Sequence, residues 1–142
     1  MTKALLAMAL VFGVAGIAGA DDADKGFQKL AGTWQVVSQT EQGVAKRADE
    51  IKGSTLVIDA TGKWQALQDG VVAVKGAGKL DPSKSPKTAD WTFDGSDQVA
   101  LAIYEVDGDT FKHCFSLTKR PTQFASKAGS TDIYMVLKRV KK

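Results

Sequence analysis

Two side chains with reactive chemistry lie next to each other in the second half of the chain. His113 is the only histidine and Cys114 the only cysteine. Adjacent residues of a β-strand point to opposite faces, so these two cannot chelate one metal ion together or form a thiolate–imidazolium pair within their own strand. Since no serine lies in a Gly-x-Ser-x-Gly elbow and no second histidine can serve as a base, we expect no catalytic residues, no metal site and no cofactor.

Carboxylates cluster at one predicted turn. Asp107-Gly108-Asp109 resembles the start of a calcium loop, but the glutamate that closes a twelve-residue EF-hand loop is missing. Glu105 and Asp107 share one strand face close to the turn, where paired carboxylates usually face solvent. We interpret this segment as a turn, and hydrolase activity is not expected.

An aromatic face surrounds His113 in the strand pattern. In "TFKHCFSL", Phe111, His113, Phe115 and Leu117 fall on one side, opposite Lys112, Cys114 and Ser116. The histidine can contact a ligand or sense pH, or it can be a core residue satisfied by one backbone or hydroxyl partner, which is the commoner case. Cys114 is expected to be an unreactive thiol, with pairing between chains as the alternative. The candidate ligand-binding residues are Trp64, Trp91, Phe93, Ile103, Phe111, His113, Phe115, Met135 and, capping one mouth from a loop, Phe124.

The first twenty residues have the pattern of a cleaved signal peptide. Lys3 precedes an uncharged apolar run, and Ala18-Gly19-Ala20 offers a small-residue cleavage site. The run is shorter than the roughly 20 residues of a spanning helix, so we predict export (periplasmic or secreted) and no transmembrane segment after cleavage. The remaining residues 21–142 carry 18 Lys and Arg against 16 Asp and Glu, a net charge of +2. Without a basic stripe, no nucleic-acid role is expected, and a single cysteine excludes an internal disulfide.

The elements that must position these side chains are mostly strands. Alternating apolar residues predict eight of them: Thr33–Gln42, Ser54–Ala60, Lys63–Asp69, Val71–Leu80, Thr88–Asp94, Gln98–Val106, Thr110–Leu117 and Thr131–Arg139. Glycines or Asp-Gly pairs between consecutive strands predict tight antiparallel hairpins. Two short helices are expected, one after Asp24 and one over Lys46–Gly53. The longest loops, 81–87 and 118–130, are where we expect specificity to lie.

An eight-stranded meander leaves two open edges unless its first strand pairs with its last. Closure into an up-and-down barrel removes those edges, so we predict an all-β, eight-stranded antiparallel barrel with a short N-terminal helix. In the fourth strand Val72, Val74, Gly76, Gly78 and Leu80 share a face, and the glycines can provide a sharp bend. An eight-stranded barrel is either filled by side chains or holds one small ligand.

A tryptophan at the start of the first strand indicates how the barrel closes. Gly32 and Trp34 follow the first short helix, and the indole can cover the lower core if its Nε1–H finds an acceptor. Arg139, at the end of the last strand, can stack a cation on the ring. This arrangement resembles the lipocalin pattern of Gly-x-Trp in the first strand with an arginine from the last.

Four further motifs extend the resemblance over nearly all of residues 21–142. "LAGTW", "KLDPSKSPK", "IYEVDGD" and "RPTQF" are similar to the marks of a lipocalin-like domain family of exported, mainly planctomycete, proteins. The resemblance implies a small β-barrel and no particular activity. We hypothesise a non-enzymatic, exported binding protein for a small apolar or amphipathic ligand; the alternative is a filled barrel that acts as an envelope-associated protein-interaction module.

Overall fold

The computed structural model describes residues 25–141, which form one β-barrel. The predicted leader, residues 1–20, lies outside this range. Helix α1 covers residues 25–30 and helix α2 covers Ala48–Ile51. The strands are β1 (Gly32–Glu41), β2 (Val44–Ala45), β3 (Ser54–Ile58), β4 (Lys63–Gln68), β5 (Val71–Asp81), β6 (Lys87–Phe93), β7 (Val99–Asp107), β8 (Thr110–Ser116) and β9 (Ile133–Arg139). Neither helix, within residues 25–141, is long and apolar enough to span a bilayer.

Eight of the strands form a closed antiparallel barrel, as predicted. Neighbours in sequence pair from β3 to β9, and β1 pairs with both β3 and β9. The pairing of β1 with β9 runs from Trp34 opposite Arg139 to Glu41 opposite Ile133. Strand β2, which the sequence pattern did not predict, extends only the far end of β1. The predicted Gly turns are present, with positive φ at Gly62, Gly70, Gly95 and Gly108.

Two β-bulges change the alternation of side chains at one end of the barrel. In β1 the register shifts between Val36 and Ser38, so Val37 has no partner and is exposed. In β5 it shifts opposite Ala66 and Leu67, which leaves Ala73 as the extra residue. A bulge moves the following residues to the other face. The predicted inward position of Val72 is therefore wrong, and this valine is exposed.

The interior at the opposite end, called the closed end below, is filled with side chains. Helix α1 lies there and buries Phe27 and Leu30. The Trp34 ring contacts the Phe111 ring at a centroid distance of 5.4 Å, and Leu30, Trp34 and Phe111 have no solvent exposure. Burial of such large apolar side chains contributes roughly 2–3 kcal/mol each, so this cluster is the main source of stability at the closed end.

Trp34 and Arg139 bind three successive carbonyl groups at the end of α1. The Trp34 Nε1–H donates to the Leu30 carbonyl at 2.8 Å. The Arg139 guanidinium lies 4.3 Å from the Trp34 ring centroid and donates to the carbonyls of Lys29 and Ala31, both at 2.7 Å. The last carbonyls of a helix have no partner within it, so these contacts satisfy them. The predicted closing contact of Trp34 with Arg139 is confirmed.

Gly32 makes this contact possible in two ways. Its φ of +135° is one that L side chains rarely adopt, and a Cβ atom here would lie 2.9 Å from an Arg139 guanidinium nitrogen. A larger residue would strain the backbone here and force the Arg139 guanidinium to shift.

We predict that Arg139→Ala lowers the free energy of unfolding by about 3 kcal/mol, because two charge-assisted hydrogen bonds and a cation–π contact are lost. Arg139→Lys should lose about half as much, because an ammonium cannot bind two carbonyls as a planar fork does. Urea unfolding followed by circular dichroism measures both.

The matched control is Lys138→Ala, on the neighbouring exposed residue of β9. It should change stability by less than about 0.5 kcal/mol. Equal losses from Arg139→Ala and Lys138→Ala would contradict a closing role for the arginine.

Candidate ligand-binding cavity

The other half of the barrel, called the open end below, contains a cavity of about 290 Å³. It lies where β1 ends, β3 begins and the β4–β5 hairpin turns. Six of the predicted ligand-binding residues line it: Trp64, Trp91, Phe93, His113, Phe115 and Met135. The interior is therefore neither fully filled nor fully hollow, since the closed end is packed and the open end is not.

Three aromatic rings form one wall of the cavity. The ring centroid of Trp64 lies 5.4 Å from that of Phe93 and 6.4 Å from that of Trp91, both in edge-to-face orientation. The Trp64 Nε1–H donates to the Ala77 carbonyl at 3.2 Å. Edge-to-face pairs of this kind are favourable beyond their buried area, so the wall is held in place without a ligand.

Two glycines of β5 leave the space that the Trp91 ring occupies. A Cβ atom on Gly78 would collide with the indole of Trp91, and one on Gly76 would collide with the Thr92 carbonyl. The predicted role of these glycines was a bend; their observed role is close approach of β5 to β6. This approach lets Trp91 lie over the strand and face the cavity.

His113 is held by the indole of Trp91. The Trp91 Nε1–H donates to His113 Nε2 at 2.7 Å. An indole nitrogen only donates, so Nε2 must carry the lone pair, and the proton of the neutral imidazole must lie on Nδ1. Nδ1 is buried and has no hydrogen-bond partner among the described residues. Of the two imidazole nitrogens, Nε2 thus has a hydrogen-bond partner, and Nδ1 has none among the described residues.

Burial also fixes the charge of His113. The ring packs between Phe111 and Phe115, at centroid distances of 5.4 and 5.0 Å. Desolvation lowers the pKa of His113 to about 3. The histidine is therefore neutral at physiological pH, and the predicted pH-sensing alternative is wrong for that range. Its single partner is an indole rather than the backbone or hydroxyl group expected.

Polar groups lie at the rim of the cavity. The Ser54 hydroxyl donates to Gln68 Oε1 at 2.9 Å across β3 and β4, and Gln39 donates to Glu41 at 2.6 Å. Ser54, Gln68 and Gln39 belong to the lining, but no charged side chain of the described residues does. The cavity consequently offers an apolar interior with an uncharged polar edge, which is the ordinary form of a small-molecule site.

Three predicted ligand-binding residues lie away from the cavity. Phe111 belongs to the packed closed end. Ile103 pairs with Cys114 on the outer face, where the segment between β8 and β9 covers both, so its predicted contact with the interior is wrong. Phe124 does not cap the mouth; its ring lies 6.2 Å from that of Tyr134, on the same outer face.

The long segment after β8 covers the outside of the barrel instead of its mouth. Arg120 donates to the carbonyls of Ala89 and Ala102 and forms an ion pair with Asp90 at 2.6 Å. Cys114 Sγ–H donates to the Ala125 carbonyl at 3.5 Å, and burial raises the pKa of the thiol to about 11. The unreactive interpretation of this cysteine is supported.

Neither long loop lines the cavity, so the expectation that they carry specificity is not met. The end of "TFKHCFSL" is also corrected, because Leu117 is exposed beyond β8 and Ser116 is buried beneath the covering segment.

Several lining residues were missed by the sequence reasoning. Alternation within β3 and β4 could have identified Leu56, Ile58 and Ala66, which face the cavity beside Trp64. Gln39 and Ala73 could not be identified, because bulges bring them to the inner face.

Residues 25–141 contain no group of three His, Cys, Asp or Glu residues able to hold a metal ion. Comparisons with family models, with curated proteins and with solved structures found no match. The geometry of the cavity therefore carries the functional argument.

We predict that His113 makes stability fall in mild acid. The unfolded chain takes up a proton near pH 6.5 and the folded chain only near pH 3, so the unfolded state binds more protons in between. From pH 7 to pH 4.5 the free energy of unfolding should drop by about 2 to 3 kcal/mol. Urea unfolding at a series of pH values measures this drop, and His113→Phe should abolish most of it.

Three carboxylates with lowered pKa do not obscure the effect of His113 on stability between pH 7 and pH 4.5. Hydrogen bonds from Thr61, Ser83 and Lys141 lower the pKa of Asp59, Asp81 and Asp109, respectively, below the usual 3.8. Their stabilisation is lost only at lower pH. An identical pH slope in wild type and His113→Phe would show that the histidine is not buried as described.

Proposed function

We propose that this protein is a non-enzymatic, exported binding protein for a small apolar ligand, of the lipocalin-like type. The ligand occupies the open end of the barrel, against the wall formed by Trp64, Trp91 and Phe93. An engineered apolar cavity of about 150 Å³ binds benzene. By proportion, a cavity of about 290 Å³ takes a ligand of about 12 non-hydrogen atoms.

The observation that carries the proposal is the unequal filling of the barrel. Large side chains and α1 fill the closed end, while Ala66, Ala73 and Ala100 stand on the lining of the open end. Natural cores pack to high density with few voids larger than a water molecule. This cavity opens to solvent past Gln68, Ala73 and Val74, and an apolar cavity of this size and form argues for a ligand.

The filled-barrel interaction module is the weaker of the two hypotheses. Its premise is an interior occupied by side chains, and that premise does not hold at the open end. Export rests on the sequence of residues 1–20, and kinship with lipocalins is supported by the Trp34–Arg139 contact at the closed end.

Naphthalene is a suitable probe, because it is rigid, uncharged and of the right size. We predict saturable one-to-one binding of naphthalene to detergent-free protein in equilibrium dialysis. Ala66→Phe should weaken this binding at least about tenfold, since the new ring fills the space that the probe needs.

Ala77→Phe is the matched control, because it adds the same ring to an exposed position of the neighbouring strand. Its affinity for naphthalene should equal that of wild type. Absence of saturable binding to the wild type, or an unchanged affinity in Ala66→Phe, would refute a ligand site at the open end.

A further inference from the structure

His113 is distinguished from the other residues of the cavity by an unused hydrogen-bond donor. Its Nδ1–H has no partner among residues 25–141, and its side chain is buried within the cavity wall. Buried polar groups in native proteins are nearly always paired, and an exception needs an explanation. A ligand that accepts a hydrogen bond from Nδ1–H would supply it.

The direction of that hydrogen bond is set by Trp91. Because the indole occupies Nε2 as a donor, the imidazole can offer only Nδ1–H to a third group. Trp91 thus acts as a positioning residue that holds the histidine in the tautomer with a free donor. A ligand that itself only donates hydrogen bonds would find no acceptor on this ring.

The imidazole can reach the cavity with little rearrangement. Phe111 and Phe115 flank it along β8, and Met135 stands opposite on β9. Nδ1 has almost no exposed surface. The ring already borders the cavity, and the second side-chain torsion of histidine is broad, so we infer that the N–H can meet an acceptor placed there.

The lining also determines the charge of the ligand. No Lys, Arg, Asp or Glu among the described residues lines the cavity, so a carboxylate or an ammonium group inside it would be buried without an opposite charge. Burial of an unpaired charge is strongly unfavourable. A fatty-acid carboxylate is therefore excluded from the interior, whereas a ketone, ester or ether oxygen is not.

We propose that His113 selects uncharged apolar molecules that carry one hydrogen-bond acceptor, such as a carbonyl oxygen, and that the Nδ1–H donates to this acceptor. This selectivity rests on the binding function proposed above. The apolar part of the ligand then lies against the aromatic wall, and its acceptor lies at the boundary between the open end and the packed closed end.

Two isosteric probes test the selectivity. 2-Octanone and 2-methyl-1-octene have the same shape and the same number of non-hydrogen atoms, but only the ketone accepts a hydrogen bond. Their affinities are measured by tryptophan fluorescence in wild type and in His113→Phe. The ratio of ketone to alkene affinity should fall about tenfold on substitution; using the ratio removes the difference in hydration of the two probes.

A second measurement uses the wild type alone, so it does not depend on the folding of a variant. Since His113 is the only histidine, ¹⁵N-histidine labelling gives the two nitrogens of a single imidazole. We expect one protonated nitrogen, Nδ1, and one unprotonated nitrogen, Nε2. 2-Octanone should shift the Nδ1 resonance and 2-methyl-1-octene should leave it unchanged.

The outcomes separate the two proposals. Binding of both probes with an unchanged affinity ratio and an unmoved Nδ1 resonance would overturn the role of His113 and leave the binding function standing. Binding of neither probe would overturn the binding function itself. A proton on Nε2 in the free protein would overturn the tautomer on which the selectivity depends.

Discussion

The contact between Trp34 and Arg139 is the constraint on which the barrel depends. It joins the beginning of the first strand to the end of the last, and through the Leu30 carbonyl and its neighbours it fastens helix α1 beneath the sheet. Closure gives each of the eight barrel strands an inside and an outside and a neighbour on both sides, so that only the two-residue β2 keeps a free edge within residues 25–141. Without it the aromatic residues of β6 and β8 would have no common interior to face.

The size of the inward side chains then divides the interior into two halves. At the closed end the rings of Trp34, Tyr104 and Phe111 pack together with α1 in one buried cluster. At the open end three alanines lie among the larger lining residues, and the bulges in β1 and β5 bring Gln39 and Ala73 to the inner face. A buried imidazole stands between the halves; its Nε2 accepts a hydrogen bond from an indole, and its Nδ1 has no partner within residues 25–141. The packed cluster and the cavity thus lie at opposite ends of one barrel.

Strand order could be predicted from the sequence, because period-two alternation and glycine turns are local signals. Closure followed from the two open edges of a meander, and the Trp34–Arg139 contact followed from the positions of these residues and the lipocalin resemblance. The cavity could be predicted only in part. The sequence pattern predicts that Ile103 faces the interior. It is indeed buried, but on the outer face of the barrel, where the segment between β8 and β9 covers it. Gln39 reaches the inside through a bulge that no local pattern marks. The tautomer of His113 depends on Trp91, a residue 22 positions away.

Xenon binding tests most directly the central claim that the barrel is hollow at one end and packed at the other, because xenon enters apolar cavities without needing a specific ligand. Methyl NMR spectra of detergent-free protein would be recorded under increasing xenon pressure. Saturable shifts are expected at Ala66, Ala100 and Met135, which line the cavity, and none at Leu30 and Leu137. Shifts absent from the first group, or equal in both groups, would contradict that claim.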